Sequence, residues 1–222
     1  MNAAKRSIDI FVSMAGLTIL APIFLVIAAL IWLEDRGPIF YRGKRVGRAG
    51  VLFRIFKFRT MVADAEHRGG SSTTQDDVRV TRFGRVLRAS KLDELPQLFN
   101  VLAGTMSLVG PRPQVEWAVA LYTREQRALL DVPPGITDFA SIVFVNEAEL
   151  LRGSPDPDTD YLQKIAPEKI RLGLEYVRNR SVLLDLRVIL ATLCCVLGLP
   201  WQGLVNIPYL EKLDDQRLRT DA

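Results

Sequence analysis

The sequence predicts an α+β fold, mainly helical, with an N-terminal end built for a membrane. Three observations carry that expectation. The 24 residues from Ile10 to Leu33 hold no charge. The stretch Phe53-Arg54-Ile55-Phe56-Lys57-Phe58-Arg59 alternates apolar and basic residues, as a half-buried strand does. From Arg79 through Arg82, Arg85 and Arg88 to Lys91 a cation recurs at every third position, which on a helix makes one broad basic ridge. Composition agrees. A mean hydropathy of +0.14 beside 24% charged residues requires the apolar residues to be concentrated in segments. The length of 222 residues suits one globular domain, and 49% apolar residues argue against disorder.

The N-terminal segment comes first. As one helix, Ile10 to Leu33 is roughly 36 Å long, enough for a hydrocarbon core of about 30 Å. A signal peptide fits poorly, because the stretch is long and no small-residue cleavage site precedes Glu34-Asp35-Arg36. Pro22 sits near its middle and kinks or breaks a helix there. Lys5 and Arg6 precede it, and Arg36, Arg42, Lys44, Arg45 and Arg48 follow it. With basic flanks on both sides the positive-inside rule assigns no orientation. A kinked span fits these facts, and so does a helix-break-helix at Ala21-Pro22 that enters and leaves one leaflet.

Between Arg36 and Ala63 there are eight Lys or Arg and no acid. Gly43, Gly47 and Gly50 mark turns before the alternating stretch, so a small β-hairpin is expected from about Phe40 to Thr60. Ala63 to Val78 reads as a polar surface loop, with His67 a solvated residue in it. The basic runs suit a solvated face, anionic lipid headgroups, or a polyanionic small molecule such as a diphosphate. No nucleic acid is expected, since lipid is the nearer anion. Near the C-terminal end, Val188 to Leu199 is apolar but too short to span a membrane. It fits a core helix or an interfacial one, and Trp201 suits the interface. Cys194 and Cys195 read as small packing residues, with palmitoylation the second reading.

The chemistry is bounded by what is missing. Adjacent cysteines exclude a disulfide scaffold, and a single histidine leaves no His-based zinc site or Ser-His-Asp triad. Carboxylates, hydroxyls and 29 Lys or Arg remain. Asp93 and Glu94 are the only acids between Asp77 and Glu116. One reading is structural: Ser90 followed by Asp93 is a capping-box pattern, and acids before Pro96 suit a helix start. The other is chemical. One carboxylate attacks phosphorus while its neighbour holds Mg²⁺, with nearby arginines neutralising the electrophile. In Gly110-Pro111-Arg112-Pro113 two prolines hold Arg112 on a stiff turn, as a fork aimed at phosphate requires.

At these residues the sequence resembles a known family. Asp93-Glu94-Leu95-Pro96-Gln97-Leu98, Asn100-Val101-Leu102, Gly104 and Met106 through Pro113 look like the bacterial sugar transferases, the monotopic phosphoglycosyl transferases. Lys57-Phe58-Arg59-Thr60-Met61, Asp77 through Gly84, Gly37-Pro38, Arg45-Val46-Gly47, Pro134 through Thr137, Tyr176-Val177 and Asp185-Leu186 fit the same pattern. The resemblance implies transfer of a sugar 1-phosphate from a UDP-sugar to undecaprenyl (polyprenol) phosphate, with release of UMP. It implies Asp93 as the nucleophile of a phosphosugar-aspartate intermediate and Glu94 as the Mg²⁺ ligand. Arg112 would hold substrate phosphate, with Arg88, Lys57 and Arg59 as further contributors. It also implies a monotopic protein with a re-entrant helix broken at Ala21-Pro22, set in the cytoplasmic leaflet of a bacterial inner membrane among phospholipid.

The expected organisation is a membrane hairpin over 1–35, a catalytic domain over 36–200 and a tail over 201–222, the minimal catalytic form. Interfacial amphipathic helices would bring the site to headgroup level. Whether the chain acts alone or as a homodimer stays open. Three departures stand out: Asp138 where the family often has Gly, Gly173 where many members carry Asp, and the unmatched segment Asn146 to Pro167. They leave the phosphate chemistry alone and point to a subfamily with its own sugar. Two alternatives use the same features, a non-catalytic membrane-surface recruitment module and a UDP-sugar pyrophosphatase in which water is the acceptor.

Overall fold

The computed structural model describes residues 2–65, 77–145 and 150–205, and within these the expected class is found: mostly helix with a few short strands. Helix α1 (Ala3–Asp35) is capped by the Asn2 side chain, which accepts from Ala4 N, and ends where Arg36 turns left-handed at φ 55°. Its 33 residues make it about 50 Å long, and it is long and apolar enough to cross a membrane.

The expected break at Ala21-Pro22 is not found as an interruption, since α1 stays helical through both residues. Pro22 removes one backbone donor, and the remaining bonds carry the helix across. The helix is packed on each side of it: Gly16 lies against Leu98, and Phe24 against Phe58, with ring centroids 5.1 Å apart.

Both ends of α1 are fastened to the same globular body. Near its start, Arg6 donates to the Val101 and Leu102 carbonyls, and Asp9 accepts from Ser107 Oγ and Leu108 N. At its end, Glu34 accepts from Phe83 N and Asp35 pairs with Arg59. Between these anchors much of the apolar surface is bare: Phe11, Ile19, Leu25 and Leu33 are 68–74% exposed.

The hairpin is present as two nested antiparallel ladders. Strand β1 (Phe40–Tyr41) pairs with β4 (Lys57–Phe58), and β2 (Lys44–Val46) pairs with β3 (Leu52–Arg54). Helix α2 (Arg82–Ala89) takes only the middle of the basic series. A 3₁₀ turn, Leu92–Glu94, leads into α3 (Gln97–Ala103). A parallel pair then joins β5 (Ser107–Val109) to β6 (Gly135–Thr137) across α4 (Glu116–Ala120), and α5 (Phe139–Val143) follows. After α6 (Pro157–Asp160) comes a π-helical turn, Tyr161–Ile165, and then α7 (Ala166–Asn179) and α8 (Val182–Val196).

The main core gathers Val101, Met106, Leu172, Tyr176, Val188 and Ala191 from α3, β5 and its approach, α7 and α8. A smaller core of Ile27, Ile31, Phe58 and Leu87 joins α1 to β4 and α2. Helix α8 meets the core reading of the apolar run on one side and leaves its other side bare. Val188 and Ala191 are buried, while Leu183, Leu186, Leu190 and Leu193 stand exposed. Cys195 packs on the main core, as a packing residue does, and both cysteines are free thiols. Trp201, expected at an interface, is half-buried and packs against the main core.

Candidate active site

The site starts from the local fold after α2. Ser90 is the C-cap of α2, and its hydroxyl donates to the Val86 and Leu87 carbonyls. The capping box with Asp93 does not form. Lys91 then adopts a left-handed conformation, φ 58°, and opens the 3₁₀ turn. Leu92 and Leu95 of that turn pack on the smaller core. Asp93 is left 7% exposed, and among the described residues its carboxylate accepts no hydrogen bond.

Three cations reach the acidic pair from three elements. Phe58 of β4 points into the smaller core, so its neighbour Lys57 projects the other way. Lys57 Nζ lies 2.8 Å from Glu94 Oε1 and 3.8 Å from Asp93 Oδ2. Arg112 meets Glu94 as a fork. Its NH1 is 3.1 Å from Oε2, and its NH2 contacts Oε1. Arg88, in the last turn of α2, is tied through Nε to Thr60 Oγ1 at 2.8 Å, and its charge also acts on Asp93.

These surroundings push the two carboxyls apart. Burial raises Asp93, opposed by the attraction of Lys57 and reinforced by the charge of Glu94. Glu94 is also penalised by burial, but Arg112 and Lys57 outweigh that and hold it well below the usual carboxylate range. Burial pulls Arg88 down, against the raising effect of Asp93 and Asp77.

The Arg112 turn is pinned along its backbone. Arg112 N donates to Asp138 Oδ2 at 3.3 Å, Gly110 N to the Thr137 carbonyl, and Gly135 N to the Pro111 carbonyl. The β5 and β6 chains touch so closely that a Cβ on Gly135 would lie 2.1 Å from Gly110 N. Asn100 ties the hairpin to α3, accepting from Phe56 N and donating to the Arg54 carbonyl, both at 2.8 Å.

Of the residues singled out from the sequence, Asp93, Glu94, Lys57, Arg112 and Arg88 come together. Arg59 does not join them. It is buried against the end of α1 with Asp35, and it is not among the charges acting on Asp93. Ala21 and Pro22 are exposed on α1, and His67 lies outside the described residues. Sequence reasoning missed Thr60, Asn100 and Asp138 as positioning groups. Thr60 and Asn100 lie inside the motif runs, and Asp138 was visible only as a departure.

Mg²⁺ fits this donor set in one way. Among the described residues no three His, Cys, Asp or Glu cluster as metal ligands. Mg²⁺ is commonly held by one or two carboxylates together with substrate phosphates, and hard carboxylate oxygens are what Glu94 and Asp93 offer.

The site is a buried carboxylate beside a second acid and three cations, an arrangement whose charges suit an anion. The chain belongs to the bacterial sugar transferase family, which it matches over residues 1–198. It is 36% identical over 196 residues to a UDP-N-acetylgalactosamine-undecaprenyl-phosphate N-acetylgalactosaminephosphotransferase of Aeromonas hydrophila, covering 87% of this chain and 43% of that protein. It is 39% identical over 195 residues to a UDP-glucose:undecaprenyl-phosphate glucose-1-phosphate transferase of Klebsiella pneumoniae, covering 85% and 39%. To the exopolysaccharide production protein ExoY of Sinorhizobium fredii it is 35% identical over 208 residues, covering 87% and 85%. The chain thus spans about two fifths of the first two relatives and most of the third.

Proposed function

We propose that the protein transfers a sugar 1-phosphate from a UDP-sugar to undecaprenyl phosphate through a covalent aspartate intermediate. The carrying observation is Asp93: a buried carboxylate without a hydrogen bond, while the adjacent Glu94 takes up Lys57 and Arg112. An Asp93 oxygen attacks the sugar-bearing phosphorus. The new O–P bond forms as the bond to the bridging oxygen breaks, and that oxygen leaves with UMP. An oxygen of the lipid phosphate then attacks the same phosphorus, the aspartyl O–P bond breaks, and Asp93 returns as a carboxylate.

Arg112, Lys57 and Arg88 bind and orient the phosphates, and no proton need be removed from the nucleophile. Mg²⁺, held by Glu94 and substrate phosphate, supplies charge neutralisation when bound. The relatives' names, which specify undecaprenyl phosphate and UDP-linked sugars, support this assignment.

The membrane arrangement follows the same reading. The two ends of α1 are bonded to one body, and along one side of it Phe11, Ile19, Leu25 and Leu33 are apolar and bare. This supports a re-entrant arrangement of residues 1–35, with both ends on the side of a catalytic domain over 36–200. Exposed leucines of α8 would lie in the same interface. The cytoplasmic leaflet of the inner membrane is where nucleotide sugar and lipid phosphate meet.

The test is UMP release from a panel of UDP-sugars in detergent with Mg²⁺, with and without polyprenol phosphate. One donor should release UMP, and continued release should require the lipid. Release without lipid would mean a pyrophosphatase. Silence across a broad panel would favour a recruitment module.

A further inference from the structure

Lys5 was expected among the basic flanks of a membrane segment, but the structure turns its half-buried side chain onto the protein body. Its Nζ donates to the Val109 carbonyl at 3.0 Å and to Asp185 Oδ2 at 2.6 Å. The Tyr176 hydroxyl reaches the same two groups from α7, at 3.1 Å from Val109 O and 2.7 Å from Asp185 Oδ1. The single Tyr176 proton goes to the nearer Asp185 oxygen, so the Val109 carbonyl accepts from Lys5 while one buried carboxylate holds both side chains in place. Burial and the Asp185 charge push the Tyr176 phenol up, so it stays protonated as a donor. Two positions before that carbonyl, Asp9 of α1 holds Ser107 Oγ at 2.8 Å and Leu108 N at 3.1 Å.

The held carbonyl is the last residue of β5, three positions before Arg112. Every link between them is stiff. Gly110 is wedged against β6, where a Cβ would lie 2.4 Å from the Pro133 carbonyl, and Pro111 fixes its own φ. A shift at Val109 therefore has little slack to absorb it before Arg112.

We infer that Lys5, with Asp9 beside it on α1, is a positioning residue for Arg112, so that docking of the start of the apolar helix sets the phosphate-binding fork. The inference rests on the functional reading above, because it gives Arg112 a ligand to hold. It also makes α1 part of the site's geometry as well as an anchor. A chain whose helix start is undocked would keep its acidic pair and lose the placement of its arginine.

A double-mutant cycle on UDP binding, read by calorimetry in detergent, tests this without needing turnover. Lys5→Met should weaken UDP binding about tenfold, the worth of one charge-assisted hydrogen bond to phosphate. In an Arg112→Ala background the same substitution should cost less than about twofold, since its target is gone. Lys5→Arg should restore most of the loss. Where Lys5→Met fails to fold because Asp185 is left buried and unpaired, Tyr176→Phe runs through the same cycle, with a smaller loss and the same non-additivity. An equal cost in both backgrounds, or no cost in a folded variant, overturns the coupling. Wild-type protein that does not bind UDP at all overturns the functional reading instead.

Discussion

Asp93→Asn should kill the enzyme and stabilise the protein, and the two effects have one cause. The substitution is nearly isosteric and removes only the ionisable oxygen. Burial raises the Asp93 carboxyl above its unfolded value of about 3.8. Between the unfolded and folded values the native state keeps a proton that the unfolded chain has lost, so stability falls as pH rises through that window. Above the folded value the full cost is present.

For a domain of this size each kcal/mol of relief corresponds to about 2–4 °C in melting temperature. The variant should therefore melt higher than wild type at pH 8, with the gain vanishing toward pH 3. Turnover, followed as UMP release, should fall by a factor on the order of 10⁴ or more. Near-normal turnover refutes the nucleophile, and a lower melting temperature at pH 8 refutes the electrostatics.

Glu94→Gln should do the opposite to stability. Its carboxyl is held low by Arg112 and Lys57, so its contribution is present above the usual carboxylate range and lost on acidification. The variant should lose on the order of 2 kcal/mol at neutral pH and progressively less as the pH falls below the usual carboxylate range, and its activity should no longer respond to Mg²⁺ titration; an unchanged Mg²⁺ response counts against the assigned ligand. Asp138→Ala removes acceptors for Arg112 N and for Ser141 N and Oγ. It should cost about 1 kcal/mol in a thermal melt and lower kcat/KM for the UDP-sugar more than the melt alone explains. Gly135→Ala forces a Cβ to 2.1 Å from Gly110 N, so about 3 kcal/mol is expected; a variant melting like wild type would show that the β5–β6 approach is looser than described.

Much of the site was legible because its charges are sparse in sequence. Asp93 and Glu94 stand alone among cations for some twenty residues on either side, and Lys57 and Arg112 sit in recognisable runs. What failed to show was partner choice. Arg59 and Lys57 share the same period-two face, yet Arg59 is taken by Asp35 at the end of α1, a contact 24 positions away that no local pattern encodes. Lys5 looked like a membrane flank because its acidic partner lies 180 positions on. The hairpin was readable from alternation and glycine spacing, whereas the parallel pairing of β5 with β6 was not, since each strand has three residues and no periodicity. Pro22 signalled a break, yet α1 runs through it and is packed on both sides of it.

On the proposed reading, the two carboxylates divide their labour through their partners. A nucleophilic carboxylate must be near cations, because its target is an anion, yet a cation bonded directly to it would quench it. Glu94 resolves this by taking the direct contacts of Lys57 and Arg112, while Asp93 keeps Lys57 at 3.8 Å and no hydrogen bond. On the proposed reading, a diphosphate entering the site competes with Glu94 for the same cations and leaves Asp93 without a direct partner. Exchanging the pair, Asp93→Glu with Glu94→Asp, keeps charge and composition but shortens the arm that reaches Arg112 and lengthens the nucleophile. Turnover should fall at least a hundredfold, whereas a swapped protein with wild-type UMP release would mean that the two carboxylates share one role.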